Sequence, residues 1–149
     1  MSSEERLSHQ FARVGLPLRR DERRGCLQAD LLLDCGRFEL LVWLDTQDGD
    51  LLLLAPHYLR APRREADPAA RARLAEQLLA LNYDLALGCF EMDPADGEVR
   101  FRLTVPQGDQ PLPDAGLARA IAAVRYALDE AWAPCQRALY AAPADPTES

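Results

Sequence analysis

The chain has 149 residues, 48% of them hydrophobic and 28% charged. This balance fits one globular domain with a real core and excludes a disordered chain or a disulfide-stapled miniprotein. Net charge is −7 and all 17 basic residues are arginine, so long-range attraction to phosphate backbones is excluded as a driving force.

In chain order, Ser2 and Glu5 form a capping-box pattern, and Leu7, Phe11 and Val14 follow at helical spacing until Gly15 and Pro17 end the helix. Arg19 to Arg24 reads as a charged connector. From Cys26 the period becomes two, with Leu27, Ala29, Leu31 and Leu33 on one face and Gln28, Asp30 and Asp34 on the other. Cys35-Gly36 turns the chain, and residues 37–45 return with Phe38, Leu40, Val42 and Leu44 aligned. Asp48-Gly49 closes a second hairpin into a strand over 51–59, which completes a three-stranded antiparallel meander.

Asp67-Pro68 predicts a second helix start, with Leu74, Leu78 and Leu81 as its buried stripe and Asn82 near its end. Strands follow over 87–93 and 98–105, joined by Asp93-Pro94-Ala95-Asp96-Gly97. If Phe90 and Met92 face the core, Glu91 and Asp93 share the other face with Arg100 and Arg102, where ion pairs fix the register. Pro111 and Pro113 lead into a long last helix marked by Leu117, Ile121, Val124, Leu128, Cys135 and Leu139, interrupted by Pro134. The order α-β-β-β-α-β-β-α predicts a single-domain α+β fold over 1–140, an antiparallel sheet with helices packed on it, and a flexible tail over 141–149.

No catalytic, cofactor-binding or metal-binding motif is legible. His9 and His57 lack neighbours at ligand spacing, and the aspartates of 45–50 lack the alternation and distal Glu of a calcium loop. There is no phosphate-binding loop, nucleophile elbow or zinc-protease helix. The first residues, MSSEERLSHQF, lack a signal-peptide core, and the longest uncharged apolar run, 51–59, is too short to span a bilayer. Four cysteines without CxxC spacing fit reduced thiols, so no membrane contact and a cytoplasmic location are expected.

Leu81-Asn82, Leu87-Gly88-Cys89-Phe90-Glu91, Asp93-Pro94 and the run Asp96 to Arg102, with Trp132-Ala133-Pro134 in the last helix, resemble the YbjN-like family of bacterial proteins. That family is similar in fold to the class I type III secretion chaperones, small acidic proteins that dimerise and bind extended partner segments. The resemblance implies a stress-response or regulatory role and carries no catalytic residue.

One feature of the strands bears on function directly. Leu32, Leu41, Trp43, Leu52 and Leu54 are apolar on the face opposite the predicted core. A half-solvated antiparallel sheet should be polar there, so something must cover them: a helix of the same chain, a second copy, or a partner. These five residues are the expected dimer or partner contacts of a non-enzymatic, homodimeric, chaperone-like interaction module. The alternative is a regulator of transcription or nucleic-acid metabolism, acting directly or through a DNA-binding protein, with Arg19, Arg20, Arg23 and Arg24 as its support.

Overall fold

The computed structural model describes residues 1–45 and 47–142; most of the expected tail over 141–149 lies outside the described residues. Helix α1 (Ser3–Arg13) is followed by strands β1 (Arg19–Asp21), β2 (Cys26–Leu33), β3 (Gly36–Leu44) and β4 (Leu51–Arg60). Helix α2 (Pro68–Asp84), strands β5 (Cys89–Met92) and β6 (Glu98–Val105), and helix α3 (Asp114–Tyr140) complete the single α+β domain. The strands form one sheet in the order β1-β2-β3-β4-β6-β5, with every neighbouring pair antiparallel.

Local chemistry sets the helix ends. The Ser2 hydroxyl accepts from the Glu5 amide at 3.1 Å while the Ser2 amide donates to Glu5 Oε2 at 2.7 Å, which closes the capping box. Asp67 accepts from the Ala70 amide at 3.0 Å, with Pro68 in the first helical position. Helix α3 runs through Pro134, which withholds one backbone donor without ending the helix.

The connector expected over Arg19 to Arg24 contains strand β1, so the meander has four strands and the sheet six. Arg19 pairs with Gln28 and Asp21 with Cys26. The turn is closed by Asp21, whose Oδ1 accepts from the Arg23 and Arg24 amides, and by Gly25 at φ +65°. A short edge strand charged on both faces carries no apolar alternation, and that hid it.

All three helices pack on the same side of the sheet. Leu7 and Phe11 of α1, Leu74 and Leu78 of α2, and Leu117, Val124 and Leu128 of α3 join one core cluster. The sheet contributes Leu27, Ala29, Leu31, Leu40, Val42, Leu51, Leu53, Val99, Phe101 and Leu103 to it. An aromatic group closes one end: Tyr58 lies 5.1 Å from Phe38, 5.6 Å from Phe90 and 5.7 Å from Trp132 between ring centroids. The Tyr58 hydroxyl donates to the Leu128 carbonyl, and burial pushes its pKa upward. This packing is the physical content of the Trp132-Ala133-Pro134 motif.

Candidate interaction face

Among the described residues, no helix covers the side of the sheet away from the core, the bare face. Strict alternation places Arg19 and Asp21 of β1, Gln28, Asp30 and Leu32 of β2, and Arg37, Glu39, Leu41 and Trp43 of β3 on it. Leu52 and Leu54 of β4, Arg100, Arg102 and Thr104 of β6, and Cys89 and Glu91 of β5 continue the same surface.

Four of the five apolar residues expected there come together. Leu41 stands opposite Leu54, and Trp43 opposite Leu52, as cross-strand partners. Trp43, Leu52 and Leu54 are half-buried. Leu41 is only 4% exposed yet lies outside the core cluster; its strand neighbours Gln28 and Leu54 flank it, so it forms the floor of the patch rather than its rim. Leu32, 70% exposed, stands apart. It pairs with Arg37 near the end of the β2–β3 hairpin, four residues beyond Gln28, or roughly 13 Å along the strand.

Ion pairs frame this patch on both sides. Toward β1, Asp30 accepts from Arg37 at 2.8 Å and from Arg19 at 3.2 Å. Arg24 reaches from the turn to Asp21 at 3.1 Å and to Glu39. Toward β5, Glu91 accepts from Arg100 at 2.7 Å and lies 2.5 Å from Arg102. The hydrogen bonds from Arg19 and Arg37 hold the Asp30 carboxyl below its usual range. At Glu91, burial alone would raise the carboxyl pKa; the Arg100 hydrogen bond and the charges of Arg100 and Arg102 outweigh it and lower it. Asp21, Asp30, Glu39 and Glu91 on this face are therefore each paired with arginine, while Glu98 at the start of β6, opposite Arg60, accepts from the His57 amide at 3.0 Å.

The expected grouping of Glu91 with Arg100 and Arg102 is present, whereas Asp93 instead accepts from the Ala95 amide at 2.8 Å and shapes the turn. The frame toward β1 was not read from the sequence, although the alternation of Gln28, Asp30, Arg37 and Glu39 carried it. Leu79 and Tyr83, one turn apart on the outer side of α2, are a further exposed apolar pair, 70% and 91% exposed, that periodicity did not single out.

The remaining motif residues hold the hairpin in place. Asn82 donates to the Phe90 carbonyl at 2.9 Å and accepts from its amide at 2.7 Å. One side chain thus pairs the outer edge of β5 as a further strand would. Gly97, at φ +78°, lets the turn lie against β4, since a Cβ there would sit 2.6 Å from the Ala61 carbonyl oxygen.

The arginines offered for nucleic-acid binding are largely engaged: Arg19 with Asp30, Arg20 with Glu4, and Arg24 with Asp21 and Glu39. Among the described residues, only Arg23 of the four has no carboxylate within 4 Å. His57 lies 3.9 Å from Glu98 and His9 is exposed on α1. Among the described residues, no three His, Cys, Asp or Glu side chains converge to hold a metal, and no helix is long and apolar enough to cross a membrane.

A six-stranded antiparallel sheet with three helices packed on one side, its motif residues spent on a hairpin, defines a single-domain α+β protein. The YbjN family model, "Putative bacterial sensory transduction regulator", matches residues 4–137, and the chain belongs to that family. No curated protein matches the chain.

Proposed function

We propose that this protein is a non-enzymatic interaction module of a bacterial regulatory or stress-response pathway. It acts as a homodimer and, in the manner of a chaperone, holds a partner polypeptide. The bare sheet face carries this reading. It presents Trp43, Leu52 and Leu54 over Leu41, inside a border of paired charges.

Charge favours a second copy as the occupant of that face. Its strands carry Arg19, Arg37, Arg60, Arg100 and Arg102 against Asp21, Asp30, Glu39, Glu91 and Glu98, with Arg24 added from the turn. The −7 excess of the chain therefore lies elsewhere. Two strongly acidic molecules repel, and they can meet most easily where neither presents uncompensated charge. A two-fold contact would set each patch of Trp43, Leu52 and Leu54 against its copy. All four cysteines are unpaired, which supports action in a reducing compartment, the cytoplasm.

Sedimentation or light scattering at micromolar concentration tests the dimer. Trp43→Asp, with Leu52→Glu as a second variant, should convert dimer to monomer, weakening association by at least about 100-fold if one buried aromatic anchor is lost. Circular dichroism should report an unchanged fold. A wild-type monomer at that concentration, or dimers unaffected by both substitutions, would overturn the assignment.

A further inference from the structure

We propose a second site: a pocket at the corner between β4 and α2 that binds the dianionic phosphate of a small phosphorylated metabolite. It shares no residue with the patch of Leu41, Trp43, Leu52 and Leu54, so it stands or falls independently of the dimer.

The pocket has a volume of about 350 Å³ and is lined by Arg60, Arg63, Arg64 and Arg71, with Glu65 and Asp96 as its only acids among the described residues. Four cations against two anions is a local reversal of sign in a chain of net charge −7. Arg71 is the central observation. It is 7% exposed, and its guanidinium donates to the Pro62 carbonyl at 3.1 Å and the Pro94 carbonyl at 2.9 Å. No carboxylate of the described residues lies within 4 Å of it. A buried cation held only by carbonyl dipoles is incompletely compensated and favours an anion at its open side.

The surrounding arginines are also uncommitted. Arg63 and Arg64 are exposed and have no carboxylate within 4 Å among the described residues. Arg60 approaches Asp96 only at 3.8 Å, with both side chains more than half exposed. On the sheet face arginine is spent on ion pairs, at Asp30, Glu39 and Glu91; the other arginines without a carboxylate partner among the described residues, such as Arg23 and Arg119, do not line this pocket. Guanidinium forks match phosphate oxygens in bidentate geometry, better than a point charge does. The pocket floor is also pre-built. The Ala61 amide donates to the Gly97 carbonyl at 2.8 Å, and Arg71 ties both walls to α2, so little ordering is needed on binding. The volume suits a phosphate with a small organic body, and Glu65 and Asp96 can accept hydrogen bonds from that body's hydroxyl groups.

Calorimetric titration of the full chain with inorganic phosphate, ribose 5-phosphate, ribose and a phosphoserine peptide tests this. Ribose 5-phosphate should bind saturably below about 1 mM, ribose should not, and affinity should fall as salt rises. The double variant Arg63→Ala/Arg64→Ala, which touches only exposed side chains, should weaken binding at least about tenfold. Arg71→Lys should weaken it comparably while keeping the charge. Tighter binding of ribose 5-phosphate than of phosphate assigns the ester as ligand, and equal binding assigns the free anion. No saturable binding, binding indifferent to the double variant, or a clear preference for the phosphopeptide would overturn the proposal.

Discussion

The two faces of the sheet are built from the same strands, yet they solve different problems. The helix side buries Leu27, Ala29, Leu31, Leu40, Val42, Leu51 and Leu53 under α1, α2 and α3 and, among the described residues, holds no ion pair in its interior. The bare side has fewer apolar residues, and Arg–Asp and Arg–Glu pairs enclose them. One face is dry because other parts of the chain cover it. The other limits its apolar area to what paired charges can border, which is how a surface stays soluble while remaining able to close on a partner.

The widest contrast should appear when an aromatic is cut from each face. Phe101→Ala removes a ring with no exposure that meets Phe90 edge to face at 5.0 Å between centroids, and should cost about 3–5 kcal/mol in chemical denaturation. Trp43 is half-buried, and its removal should cost the isolated subunit only about 1 kcal/mol. Comparable losses at the two sites would mean that the faces do not differ as described.

Asn82→Asp is a finer probe, because an ionised carboxylate still accepts from the Phe90 amide but cannot donate to its carbonyl. Stability should fall by about 1–3 kcal/mol, with hydrogen exchange at β5 rising before that at β4.

The charged frame predicts a pH response at the bare face. Glu91 has a lowered pKa in the fold, so its stabilising contribution is present above its ordinary value of 4.5 and is lost as pH falls through the lower folded value. Wild type should lose melting temperature over that acid window more steeply than Glu91→Gln, while the two should run parallel near neutrality. The smallest effect is kinetic. Burial leaves Cys135 unexposed and pushes its thiol up to about 11, so it should resist a thiol reagent until unfolding. Half-buried Cys89, on the bare face, should react in the native state and be shielded by any contact that covers the face.

Where one period dominates a segment, the fold was legible. The capping box at Ser2, the Asp67-Pro68 start and the alternation in β2 and β3 each express a local preference that the tertiary structure left intact. Strand β1 was not legible, since Arg19, Arg20 and Asp21 are held by pairing with β2 rather than by any propensity of their own. The candidate contacts were half legible. Alternation correctly put Leu41, Trp43, Leu52 and Leu54 on one face, but only registration sank Leu41 between Gln28 and Leu54 and left Leu32 isolated. The arginine corner illustrates the same limit: Arg60, Arg63 and Arg64 are neighbours in the chain, while Arg71 and Asp96 reach them only by folding.

Outside β1, the sequence by itself determined which segments are helical and which extended, and which side chains share a strand face, because those depend on periods of a few residues. It also determined the family, since the hairpin motif is a string of adjacent residues with fixed local tasks. The tertiary structure alone decided that all three helices gather on one side and leave the other without a helix. That choice depends on how elements far apart in the chain share a finite apolar area, and no short stretch of sequence encodes it.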